Sequence, residues 1–245
     1  MLSDSVKTTI QTAYSQYLTS KALTARVGQR SMLAQVARTL GGLECDAEGH
    51  RLGDAAIAVI EAGTGTGKTV GYVLSAIPVA MAKEKKLVIS TATVALQEQV
   101  VTKDIPDILK HTNLEFKAVL AKGRGRYLCT HKLEQLIQFY SGTVVAMSLF
   151  EETMAADEAT LLQYNELMGT FGSGQWSGDR DQWPDKLPDS TWFTVTSTHR
   201  ECLNRRCPHY QNCPFFEARK ALEDADVIIA NHDLVMADLA LGGGA

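Results

Sequence analysis

The sequence predicts an α/β domain with a parallel sheet, interrupted by a mainly helical insertion. Three observations lead there. A strand-like apolar run, Ala55–Ile60, leads into the glycine-rich stretch Glu61–Thr69, and a helical pattern (Val70, Val73, Leu74, Ile77) follows it. A second strand-then-helix unit begins at Leu87, and consecutive units of this kind favour parallel pairing. From Ser141 to Ser190 the composition turns acidic, with Arg180 and Lys186 the only basic residues, and glycine and proline cluster there; this reads as a segment that leaves the sheet.

The 245 residues suffice for one large domain with an insertion, and 45% apolar content is ordinary for a chain with a real core. A net charge of −4 argues against a wholly electrostatic nucleic-acid binder, so any such contact has to be a local patch. No apolar run is long enough to span a membrane, and Met1–Ser5 shows no secretory pattern. A cytoplasmic, reducing location is the expectation, and there clustered cysteines point to metal rather than to disulfides.

Taken in order, Val6, Ile10, Ala13, Tyr14, Tyr17 and Leu18 share a helix face over residues 5–18. Met32, Leu33, Val36, Ala37 and Leu40 suggest a second helix, stopped by Gly41-Gly42. Residues 43–54 read as a loop containing a plain thiol, Cys45. After the charged turn Lys83–Lys86, Leu87–Thr91 reads as a buried strand. Thr93 then starts a helix with Leu96, Val100 and Val101 on one face and Gln97 and Gln99 elsewhere. Phe116–Leu120 reads as a third strand, a helical stretch lies around Met154 to Met168, and Phe215, Phe216, Ala218 and Leu222 suggest a short helix. Asp226–His232 reads as a further core strand, with a helix from Leu234 onward.

The glycine-rich stretch is a phosphate-binding pattern. Its glycines let the backbone curl so that N–H groups face phosphate oxygens, at a helix N-terminus carrying partial positive charge. In that arrangement Lys68 reaches the β- and γ-phosphates and the Thr69 hydroxyl ligates Mg²⁺. Ala62 stands where the strict pattern has glycine, which marks a subtype. Upstream, the amide of Gln29 offers both a donor and an acceptor, which suits an adenine edge and equally suits a solvated helix start. The hydroxyls of Thr91 and Thr93 suit a nucleic-acid phosphate; helix capping by Thr93 explains the same residues. Lys122-Gly-Arg124-Gly-Arg126-Tyr127 combines cations with a ring able to stack on a base, or is a solvated basic loop.

Cys129 ends that basic loop, and Cys202-x4-Cys207-x5-Cys213 follows the acidic segment. Four thiols in a reducing compartment suit zinc or an iron–sulfur cluster. Proline after Cys207 and after Cys213 and the lack of tight Cys-x2-Cys knuckles lean toward the cluster; His199 and His209 are alternative ligands in a zinc reading.

In this order, Glu61–Thr69, Ser90–Thr93, Gly123–Cys129, the three later cysteines and Ala230-Asn-His232 resemble the XPD-type iron–sulfur DNA helicases of superfamily two. The resemblance implies a RecA-like first motor domain (residues 1–128 and 214–245) around an iron–sulfur domain (129–213). It implies ATP and Mg²⁺ on Ala62, Gly63, Thr64, Gly65, Thr66, Gly67, Lys68 and Thr69, with Lys68 and Thr69 catalytic and Gln29 with Arg26 reading adenine. Thr91 and Thr93 correspond to the single-strand motif, and Cys129, Cys202, Cys207 and Cys213 to the ligands of a 4Fe–4S cluster. Arg124, Arg126 and Tyr127 join the expected DNA surface.

The resemblance also implies a monomeric, ATP-driven, 5′-to-3′ helicase acting on single-stranded DNA, forked duplex or DNA/RNA hybrid in repair or replication. The family's Asp-Glu-Ala-His motif, which holds Mg²⁺ and activates water, does not occur in these 245 residues. The expectation is therefore an N-terminal part of the motor, inactive alone. A metal- or redox-sensing nucleotide-binding module that does not hydrolyse is the alternative. A phosphate-loop kinase or transporter ATPase fits the cysteines and the basic loop poorly.

Overall fold

The computed structural model describes residues 2–63, 65–141 and 158–240. Ser3 accepts the Val6 amide and starts helix α1 (Asp4–Ser20), whose Val6, Ile10, Ala13 and Tyr17 face inward at three- and four-residue steps. Helix α2 (Val27–Gly41) follows and ends at Gly42. It starts well ahead of Met32, the first apolar position of the sequence pattern, so Gln29 lies within its first turn. The expected loop 43–54 contains a small antiparallel hairpin, β1 (Glu44–Cys45) with β2 (Arg51–Leu52).

Helix α3 (Lys68–Ala82) begins directly at the glycine-rich loop and is the apolar axis of the core. Val73, Leu74, Ile77 and Val79 are almost wholly buried. Strand β3 (Leu87–Thr91) follows, then the short helix α4 (Val94–Gln99) capped by the Thr93 hydroxyl, a π-helical turn over Val100–Asp104, and α5 (Ile105–His111). Strand β4 (Ala118–Leu120) lies beyond. The chain returns much later as β5 (Val227–Asn231), after which α10 (His232–Ala240) starts; the helices between are given with the insertion below. Among the described residues the main sheet is ordered β3-β5-β4, all parallel, with Leu87 beside Val227, Thr91 beside Asn231 and Ala118 beside Val227. Val227 and Ile229 point into the same core as α3.

Two expectations fail here. The run Ala55–Ile60 pairs with no strand, and Ile57 and Val59 are 78% and 94% exposed. An apolar run becomes a strand only where another strand's edge accepts its backbone bonds, and none of the described edges does so here. Helix α4 also turns differently from the pattern. Leu96 is 46% exposed and Gln97 is buried. The π turn at Val100–Asp104 shifts the phase of the inward face, so Val100, Ile105 and Ile108 fill the core while Leu96 rotates out.

The chain divides into two compact units, Met1–Ala121 with Asp224–Ala245, and Lys122–Glu223. In the second unit α6 (Thr130–Tyr140), α7 (Glu158–Gly172), α8 (Asp189–Val195) and α9 (Pro214–Glu223) form a separate helical structure. Residues 154–157 of the expected Met154–Met168 helix lie outside the described residues. Trp192, Leu133, Leu167 and Val195 are fully buried in its core. The unit exceeds the expected 129–213 span because the basic loop belongs to it: Leu128 N–H donates to Gly178 O, Cys129 N–H to Val195 O, and the Trp192 indole to Gly125 O. Gly178 has φ +81°, and a Cβ there would meet Pro214 Cγ at 2.5 Å, so only glycine fits at this crossing. Among the described residues no helix is long and apolar enough to cross a membrane.

Candidate functional site

In the first unit the glycine-rich loop folds back on itself. Gly65 and Gly67 have φ +74° and +75°, the left-handed backbone their residue type permits, and Gly67 caps α3. Lys68 Nζ donates to the carbonyls of Ala62 (2.8 Å) and Gly63 (2.9 Å), and the Thr66 hydroxyl donates to Gly63 O. Helix α2 and the residue before it hold the loop from outside. Arg26 donates to Gly65 O (2.7 Å), Gln29 Nε2 to Gly67 O (3.1 Å), and the Tyr14 hydroxyl to Gln29 Oε1 (2.8 Å). Both ends of the Gln29 amide are therefore engaged within the protein. Thr64 lies outside the described residues.

Thr69 shares a hydrogen bond with the Tyr72 phenol, whose burial raises its pKa. Lys68, Thr69, Thr91, Gln99, Asp104 and His232 line a cavity of about 740 Å³, a size in the range of small-molecule sites. The Thr91 hydroxyl donates to Thr93 O (3.1 Å), and the Thr93 hydroxyl accepts the Leu96 amide (3.3 Å). Asn231 caps α10 by accepting the Leu234 amide, and His232 Nδ1 lies 2.6 Å from Ser90 Oγ. The strand-end hydroxyls and the Ala230-Asn-His232 motif thus meet on neighbouring strands, β3 and β5.

In the second unit the basic loop is neutralised by the acidic segment. Lys122 pairs with Asp179 (2.5 Å) and Asp181 (2.8 Å), and Arg126 pairs with Asp181. The Arg124 guanidinium lies 4.0 Å over the Phe215 ring and donates to Cys202 Sγ (2.8 Å). Tyr127 is buried, its ring edge-on to Phe215, and burial pushes its hydroxyl up to about 12. A base cannot stack on it there. This corrects the expectation of a stacking platform: the ring alternates inward because Tyr127 bridges to Asp179 as an extended residue.

Cys129, Cys202, Cys207 and Cys213 are all half-buried and free, whereas Cys45 is exposed on the hairpin of the other unit. The four thiols act on one another: burial first, then the charges of the other three, raise the Cys129 thiol. Burial likewise raises Cys213, and Cys202 and Cys207 add to it. Backbone N–H groups oppose this. Lys132 donates to Cys129, Phe215 and Phe216 to Cys213, and Asn204 to Cys202 at 3.3 Å. Such donors favour thiolates that ligate a cation. Among the described residues no three of the four sulfurs lie within 4.8 Å of one another. That is wider than the spacing of about 3.8 Å that a single tetrahedral zinc with 2.3 Å bonds sets between sulfurs.

Comparison with known proteins accords with these motifs. The chain is 43% identical over 219 residues to a protein of Photobacterium profundum named ATP-dependent DNA helicase DinG, covering 89% of this chain and 30% of that protein. It is 37% identical over 213 residues to the protein of the same name in Escherichia coli K12, covering 86% and 28%. This is a DinG-like chain. It spans less than a third of the length of these relatives, and no family model matches it. Sequence reasoning passed over Tyr14 behind Gln29, the acids Asp179 and Asp181 facing the basic loop, and the pair His131 and Glu134 just after Cys129. Of these only the His-x2-Glu spacing was a readable signal.

Proposed function

We propose that this chain is the nucleotide-gripping part of an ATP-dependent, 5′-to-3′ DNA helicase of the cytoplasm, working as a monomer in DNA repair or replication. The observation that carries the reading is the loop at the start of α3: two left-handed glycines, with Lys68 held at the carbonyls of Ala62 and Gly63. In this reading Lys68 exchanges those carbonyls for β- and γ-phosphate oxygens. Thr69 leaves Tyr72 to ligate Mg²⁺. Gln29 and Arg26, which already bond Gly67 and Gly65, couple adenine recognition to the shape of the loop.

Single-stranded DNA, including that of a forked duplex or a DNA/RNA hybrid, crosses the strand ends at Thr91 and Thr93. Arg124 and Arg126 meet its phosphates after releasing Cys202 and Asp181. Cys129, Cys202, Cys207 and Cys213 would hold a 4Fe–4S cluster, a reading supported by the prolines after Cys207 and Cys213, the lack of Cys-x2-Cys knuckles and the N–H donors to the sulfurs. When bound, such a cluster supplies a rigid, redox-capable brace for the second unit.

Binding of a fluorescent ATP analogue tests the loop. Lys68→Ala is expected to weaken binding at least tenfold with the fold intact by circular dichroism; equal binding by the variant rejects this site. Iron and acid-labile sulfide analysis tests the thiols, with Cys202→Ser expected to bleach the visible absorption.

A further inference from the structure

Helix α6 carries His131 and Glu134 three residues apart, hence on one face. His209 reaches the same place from the turn between Cys207 and Cys213. Its Nε2 lies 2.8 Å from Glu134 Oε2, and its ring centroid is 5.8 Å from that of His131, with 41° between the planes. One ligand atom from each of the three residues falls within 4.8 Å of the other two, the single such set among the described residues. A His209–Glu134 ion pair by itself accounts for only two of the three groups. It leaves His131 Nδ1 buried with no hydrogen-bond partner, a condition that costs free energy unless something satisfies it.

We propose that His131, Glu134 and His209 form a divalent transition-metal site distinct from the four thiols. Two imidazoles and one carboxylate are a borderline-soft donor set that suits Zn²⁺, Co²⁺ or Ni²⁺, whereas the thiols are soft. Metal–nitrogen bonds of about 2.1 Å bring tetrahedral ligands to roughly 3.4 Å from one another, a spacing between the 2.8 Å that separates His209 from Glu134 and the 4.8 Å that bounds the set. Glu134 and His209 side chains are 46% and 30% exposed, which leaves an entry path and room for water as a further ligand. An ion there ties the start of α6, next to Cys129, to the turn that carries Cys207 and Cys213. It braces the segments that present three of the thiols.

The test is metal content of the whole chain after dialysis against Zn²⁺, with zinc and iron counted separately in the wild type, His131→Gln, Glu134→Gln and Cys202→Ser. The wild type is expected to hold one zinc more than either of the first two variants, with equal iron. Cys202→Ser is expected to keep that zinc while losing iron. Zinc that is equal in the wild type and Glu134→Gln, or zinc lost with Cys202→Ser but not with His131→Gln, overturns the proposal. Because Glu134 is half-exposed, its variant folds even if His131→Gln does not; Zn²⁺ is expected to raise the melting temperature of the wild type and leave that of Glu134→Gln unmoved. The zinc count decides the matter even if no iron is found.

Discussion

Gln29 Nε2 and the carbonyl of Gly67 are joined at 3.1 Å, and a Cβ built on Gly67 would lie 2.4 Å from that same nitrogen. Residue 67 therefore has two independent reasons to be glycine: its left-handed φ and the amide pressed against it. Gly67→Ala is expected to cost about 1–3 kcal/mol in backbone strain and to push Gln29 off both Gly67 and Tyr14. Urea unfolding measures the first effect. For the second, binding of a fluorescent ATP analogue should weaken more in Gly67→Ala than in Gln29→Ala, since the former disturbs the loop and its brace together. Wild-type binding by Gly67→Ala would show that the loop shape is not what holds nucleotide.

The pairing of Lys122 and Arg126 with Asp179 and Asp181 makes a second prediction. Removing the two carboxylates as Asp179→Asn/Asp181→Asn frees both cations without deleting either. Affinity for single-stranded DNA is expected to rise, and its dependence on log salt to steepen by about 0.7 for each phosphate newly contacted. Fluorescence anisotropy with an oligonucleotide at several salt concentrations reads both. An unchanged salt slope would mean that this loop does not face DNA.

These two relationships also mark how far the sequence could be read. The helices were legible because each buries a regular stripe: Val6, Ile10, Ala13 and Tyr17 in α1, Val73, Leu74 and Ile77 in α3. The parallel strands were legible as short apolar runs. Ala55–Ile60 has the same composition and forms no strand, because pairing depends on a neighbouring edge that no local pattern records. Gln97 is buried where Leu96 was expected because the π turn resets the helical phase. The basic loop looked open because Asp179 and Asp181 lie far along the chain, and local composition says nothing of what folds back on it.

Asp107 links α1 to α5, accepting from the Tyr17 hydroxyl at 2.7 Å and from Lys21 Nζ at 2.7 Å. Burial works to raise its pKa, but the bonds from Lys21 and Tyr17 and the nearby His111 outweigh it and hold the carboxyl below its ordinary 3.8. A carboxylate depressed on folding adds stability above its unfolded pKa and loses that stability as pH falls through the folded value. Asp107→Asn is expected to cost about 1.5–3 kcal/mol at neutral pH, as for hydrogen bonds to a charged group. The wild type and variant should converge below pH 3.8, in the window where wild-type Asp107 takes up its proton. Denaturant midpoints measured from pH 7 down to about pH 3 check this; a gap that stays constant with pH would assign the loss to packing.

Arg124 is the only cation in the second unit seen both stacked on an aromatic ring and bonded to one of the four thiols, among the described residues. Its positive charge and its N–H on Cys202 Sγ both stabilise added negative charge at whatever centre those thiols hold. If the centre is the proposed cluster, its reduced state is the more negative one, and Arg124 raises the potential. Arg124→Gln removes the charge and the stacked guanidinium, and is expected to lower the reduction potential on the order of tens of millivolts. Arg124→Lys keeps the charge but loses the planar stack over Phe215, so its potential should fall between the two. Redox titration followed by electron paramagnetic resonance measures all three. Equal potentials across the series, with iron content unchanged, would show that the Arg124–Cys202 bond does not reach the centre electronically.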